Sequence, residues 1–203
     1  MQQSTRKLSA LVCLSAGLVS GFRCQSGGIG DPCVPEDEFY QDMGGYSLGE
    51  VDVETRSFQC ESRVCLVNHF QGRVTCPYGQ TTADLALPGT APERCRIPHS
   101  TGENPADQVI VPVPAWNTRR PPESAVYCSC RCNGADPDAR YCECPRGYSC
   151  EPIVPTIGLA SRELEGSYCI KTGTRFEPGL GAAISCREDP TNPSCGPSPL
   201  VNP

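Results

Sequence analysis

Residues 128–150 read CSCRCNGADPDARYCECPRGYSC, with Cys128, Cys130, Cys132, Cys142, Cys144 and Cys150 crowded around one Asn-Gly and one Asp-Pro step. Side chains two positions apart on a strand share a face. Cys128, Cys130 and Cys132 are therefore expected to point one way, with Cys142 and Cys144 facing them across the NGADPDAR turn. Sulfur would then stand where a larger protein puts Val and Ile. This predicts a small disulfide-rich fold, mainly β in short hairpins, with extensive irregular and Pro-rich loops.

The rest of the chain agrees with a fold held by cross-links. It has 203 residues and 16 cysteines. From Cys24 onward only 31 residues are Ile, Leu, Val or Phe, while Pro and Gly supply 39. Ordering a backbone costs about 1–2 kcal/mol per residue, and so few apolar side chains offset little of that. A disulfide contributes about 2–4 kcal/mol, so seven of them would carry much of the stability.

Arg6 and Lys7 precede an apolar run from Leu8 to Phe22, which reads as an export signal over residues 1–23 and is too short for a comfortable membrane span. Disulfides persist in oxidising compartments, so leader and cysteines point to the same address. Cleavage after Ser20 or Gly21 would leave fifteen cysteines, an odd number. Lipidation of Cys24 would leave fourteen for pairing, and the flexible tether at 24–30 suits a lipoprotein. Either a cell-envelope lipoprotein, of outer-membrane type, or a secreted protein is expected. Without Arg6, Lys7 and Arg23 the formal net charge falls from −6 to −9, which argues against a nucleic-acid partner and leaves a lipid anchor as the only membrane contact.

Parity suggests a division. Cys33, Cys60, Cys65 and Cys76 could pair among themselves in a first module at 31–80, where Val64–Thr75 reads as a hairpin turning at His69–Gly72 and bringing Cys65 near Cys76. A Pro-rich linker follows at 81–123, from which Cys95 is expected to cross to a second module at 124–186 or to the tail. That module holds Cys128, Cys130, Cys132, Cys142, Cys144, Cys150, Cys169 and Cys186, a short helix in LASRELEG and a strand in SYCIKT. In the Pro-rich tail at 187–203, Cys195 offers an anchor. Neighbours in C-x-C form a strained ring if joined, so they are expected to bond elsewhere.

Catalytic parts are missing. His69 and His99 are the only histidines and lie in no hydrolase motif. Zinc needs thiolates, which an exported chain oxidises, so no metal and no cofactor are expected. Asp136, Asp138 and Asn133 read as turn residues before calcium ligands. The acids Glu36, Asp37, Glu38, Asp42, Glu50, Asp52 and Glu54 read as a solvated face. Trp116 is expected to pack on the second module, and Arg119-Arg120 offers a candidate cleavage point.

CECPRGYSC resembles the end of an epidermal-growth-factor-like module. More broadly, GDPCVPEDE, CESRVCLVNHFQGRVTCPYGQ and YCSCRCNGADPDARYCECPRGYSC resemble cysteine-rich envelope lipoproteins and secreted proteins of myxobacteria and related bacteria. That resemblance implies an envelope address and no catalytic activity. The expectation is a non-enzymatic exported protein with a binding or scaffolding role toward another envelope or extracellular protein. Its rivals are a thiol-disulfide oxidoreductase using a C-x-C pair and a secreted protease inhibitor.

Overall fold

The computed structural model describes residues 27–154, 165–177 and 184–196. Two antiparallel three-stranded sheets organise them. The first joins β1 (Val51–Glu54), β2 (Val64–Asn68) and β3 (Val126–Ser129) in the order β1-β2-β3. The second joins β4 (Arg131–Asn133), β5 (Tyr148–Val154) and β6 (Gly166–Lys171) in the order β4-β6-β5. Short hairpins, single helical turns and long irregular loops make this the small disulfide-rich, mainly β fold that the cysteine pattern implies.

Strand β2 occupies the centre of its sheet because it is apolar toward both faces: Cys65, Leu66, Val67 and Asn68 are all buried. Its backbone N–H and C=O groups, shut off from water, need partners along both edges. It finds them in β1 and β3, which corrects the expected hairpin. The N–H groups of Val74 and Thr75, which would have formed the second arm, donate to the Glu38 carboxylate instead. Gly72 exchanges both backbone bonds with Tyr46, at 2.9 and 3.0 Å. At Gly72 φ is +94°, and an added Cβ would meet the Pro114 carbonyl oxygen at 2.5 Å, so the turn requires glycine.

Only Cys130 separates β3 from β4, and the chain changes sheet there. Leu66 and Tyr127 pack with Tyr168 and Ile170 in one buried cluster that seals the sheets together. The Tyr127 hydroxyl accepts from the Lys171 N–H at 3.0 Å. This break overturns the shared face of Cys128, Cys130 and Cys132. Cys128 turns into the core of the first sheet, while Cys130 meets Cys142 as expected.

The expected pairing within 31–80 is also corrected. Cys33 bonds Cys65, but Cys60 bonds Cys128 and Cys76 bonds Cys95. Strand pairing sets the first two: Cys65 stands opposite Cys128 in register, which brings the loops carrying Cys33 and Cys60 to adjacent sulfurs. The expected boundary at 123/124 therefore falls beside a strand that pairs with β2. Cys95 stays with the first half because Gln80 holds it there, accepting the Cys95 N–H at 2.9 Å while donating to the carbonyls of Val109 and Val111.

Buried polar side chains do much of the work that ladders do elsewhere. Arg73 donates to the carbonyls of Glu38, Tyr40 and Met43. Arg94 donates to those of Leu85, Leu87 and Val109. Arg120 serves Asn68, His69 and Thr174. Each guanidinium gathers several carbonyls, most of them from irregular segments. Arg120 is thus a structural pin, 4% exposed, and the dibasic cleavage reading is corrected.

Trp116 packs, but chiefly on the first half. Its ring meets Phe70 edge-on at 5.9 Å, and its indole N–H donates to the Arg73 carbonyl at 2.6 Å. The tail is pinned through Cys186–Cys195, through the Tyr78 hydroxyl donating to the Gly196 carbonyl at 2.9 Å, and through Arg187 pairing with Asp84 at 2.8 Å. SYCIKT supplies the central strand β6. The helix read in LASRELEG lies almost wholly outside the described residues, as does Cys24.

Candidate functional site

All fourteen cysteines from Cys33 to Cys195 stand in seven bridges. In the second sheet Cys130 bonds Cys142, Cys132 bonds Cys150, and Cys144 bonds Cys169. None of the three C-x-C pairs, 128/130, 130/132 and 142/144, is joined within itself. Three groups of sulfurs lie within 4.8 Å of one another: Cys33, Cys60 and Cys128; Cys130, Cys142 and Cys169; Cys132, Cys144 and Cys150. Such spacing suits a zinc site only if the sulfurs are thiolates, and here each is spent in a bridge.

The histidines have structural surroundings. His69 is stacked on Phe176 at 4.1 Å, and its Nδ1 is 2.8 Å from the Leu48 carbonyl. Burial pushes its pKa down. His99 sits at positive φ beside Phe39. Asp136 accepts the Asp138 N–H at 2.9 Å, and Asn133 accepts that of Gly134 at 2.8 Å, both turn contacts.

The acid run divides. Glu38 is fully buried against Arg73, contrary to a solvated face. Its pKa is pushed up by burial, against bonds from Thr75 and Val74 and the nearby Arg73 charge. Asp52 and Glu54 are half-buried, and burial followed by neighbouring carboxylates raises both; Asp37 and Glu50 act on Asp52, Glu36 and Asp52 on Glu54.

Beside Glu54 the surface opens into a cleft of about 420 Å³ lined by Glu36, Phe39, Glu54, Arg56, Phe58 and Arg63. Phe58 is 81% exposed, a large apolar area to leave in water. It rides on a turn tied at Cys60 to Cys128. The same turn is closed by Ser57 N–H donating to the Arg63 carbonyl at 3.1 Å and Arg63 N–H donating to that of Cys60 at 3.0 Å. Arg63 adopts φ +65°, a conformation that a side-chain-bearing residue rarely takes. Its guanidinium lies 4.2 Å over the Phe58 ring, holding that ring by a cation–π contact. Gln59 fixes the loop below by exchanging two bonds with the Val34 backbone.

Four charged side chains share this cleft, yet among the described residues neither carboxylate forms an ion pair with either guanidinium. Among the described residues the Glu54 carboxylate accepts one hydrogen bond, from the Glu36 N–H at 3.2 Å. Sequence reading missed this site because Phe58, Arg56 and Arg63 are single residues in a loop without periodicity. The Ser-Phe-Gln-Cys step beside a bridge was the one available signal.

No protein-family model, curated protein or solved structure matches the chain. Extensive disulfides are the pattern of exported proteins, and among the described residues no helix is long and apolar enough to cross a membrane.

Proposed function

We propose that this protein is a non-enzymatic component of the bacterial cell envelope, tethered through lipid on Cys24, that binds or scaffolds other surface components. The observation that carries the binding role is the exposed Phe58 ring on a cross-linked turn beside unpaired charges. A rigid aromatic anchor loses little entropy when it binds. The export signal and the even cysteine count after Cys24 support the address.

Labelling of the bacterial host with a radioactive fatty acid tests the tether. Label is expected in the wild-type protein in the membrane fraction and is expected to disappear in Cys24→Ser. Incorporation that survives this substitution rules out lipidation at Cys24, and unlabelled protein in the medium identifies a secreted form.

A further inference from the structure

We infer that the Phe39–Phe58 cleft is a saccharide-binding site that takes a neutral sugar ring of a glycan. This deepens the binding role proposed above and rests on it. The cleft offers two kinds of surface at once. Phe58 and Phe39, 81% and 41% exposed, present apolar rings. Glu36, Glu54, Arg56 and Arg63 present polar groups around them. A sugar ring has the matching division: an apolar face of C–H groups, whose slight positive charge suits the negative face of an aromatic ring, and a rim of hydroxyls.

The rim supplies the chemistry. Each hydroxyl both donates and accepts, so a polyol needs acceptors and donors side by side. Carboxylates are acceptors only and guanidinium groups donors only. Two of each line this cleft without pairing. A ligand hydroxyl can therefore bridge a carboxylate and a guanidinium without having to break an ion pair first. Hydrogen bonds to charged partners are the stronger kind.

Charge decides against an anionic ligand. The lining's two carboxylates and two guanidinium groups sum to zero, and Asp37 and Asp52, which act on Glu54, tilt the surroundings negative. The net negative chain adds long-range repulsion toward anionic glycans. The volume of about 420 Å³ is in the range of small-molecule sites, and the turn that carries Phe58 is held by Cys60–Cys128, so the site is preformed.

The test uses the oxidised full-length protein and an immobilised panel of neutral, anionic and cationic oligosaccharides, followed by calorimetry on the hits. Binding of neutral hexose or N-acetylhexosamine oligomers is expected, weakened about tenfold or more in both Phe58→Ala and Arg56→Ala. Phe58 is exposed, so the variant should keep the wild-type circular dichroism and melting curve; Glu36→Gln, at an exposed lining side chain, supplies a second lesion if it does not. Wild-type protein that binds no neutral saccharide overturns the assignment, as does binding unchanged in Phe58→Ala. Binding restricted to charged glycans, or to free amino acids and dipeptides, overturns it too. None of these results depends on lipid at Cys24, so failure here leaves the fatty-acid experiment to be judged separately.

Discussion

Glu38 and Arg73 face each other at 3.9 Å with both side chains completely removed from solvent. The pair is the hub of the first half of the chain, because Glu38 accepts from Val74 and Thr75 while Arg73 donates to three carbonyls. Removing one member of a buried pair leaves the other charge uncompensated. Arg73→Met is expected to lower stability by about 3–5 kcal/mol, measured by urea unfolding of the oxidised protein. Glu38→Gln keeps an acceptor for Val74 or Thr75 and should lose less. A loss below about 1 kcal/mol in Arg73→Met would contradict the hub.

Bridges should differ in worth according to the loop they close. Cys60–Cys128 spans 68 residues and Cys186–Cys195 spans 9. Chain-entropy arithmetic gives about 4.4 and about 2.6 kcal/mol. Paired Cys→Ser replacement at 60 and 128 should therefore lower the denaturant midpoint more than replacement at 186 and 195. The reverse order would show that native-state packing around the tail outweighs loop closure.

Cys169 Sγ lies 3.6 Å from Cys130 Sγ and 3.7 Å from Cys142 Sγ, although it is bonded to Cys144. Thiol–disulfide exchange needs only contact and a thiolate. With a trace of thiol at alkaline pH, peptide mapping should find new pairings first among Cys130, Cys142, Cys144 and Cys169. Scrambling that begins at Cys76 or Cys95 would refute this order.

Two glycines at positive φ should respond differently to Ala. An added Cβ at Gly79 would meet the Val113 carbonyl oxygen at 2.4 Å and the Ala115 nitrogen at 2.6 Å, both backbone. At Gly147, with φ +90°, it meets nothing within 4 Å. Gly147→Ala then costs about 1–2 kcal/mol of conformational strain alone. Gly79→Ala must in addition displace the 113–115 segment, and its melting temperature should drop further.

Asp52 gives a pH prediction. Burial, then Asp37 and Glu50, raises its pKa in the folded protein above 3.8, so the folded state binds its proton more readily than the unfolded chain does. Stability contributed by this group therefore falls as pH rises from that value through the folded pKa. Asp52→Asn should be more stable than wild type at pH 7, and the difference should vanish below pH 3.8. A variant less stable than wild type at neutral pH would reverse the sign.

The class of fold was readable from cysteine density, and SYCIKT was readable as a strand because its apolar residues alternate beside a cysteine. The pairing was not. Parity treats cysteines as countable objects, but Cys60 and Cys128 meet because Val64–Asn68 takes Val126–Ser129 as a neighbour 58 residues or more away. Nothing local specifies that choice. Glu38 reads as part of a solvated face because charged residues are usually exposed, and nothing local marks Arg73, Arg94 or Arg120 for burial; the arginines are buried where carbonyls gather around them, and Glu38 where the Val74 and Thr75 N–H groups need an acceptor. The cleft was illegible for a related reason: Phe58 is informative only once its exposure is known.

The route of Cys60–Cys128 across the chain bears on how the protein is made. On the proposed export route Cys60 would emerge after Cys33 but before Cys65, with its own partner still 68 residues behind. An oxidase acting in order of appearance would join Cys33 to Cys60 and leave Cys65 for Cys76. The native set is not the sequential one, so a chain oxidised strictly in order of appearance would have to exchange its early bonds before it could reach this fold.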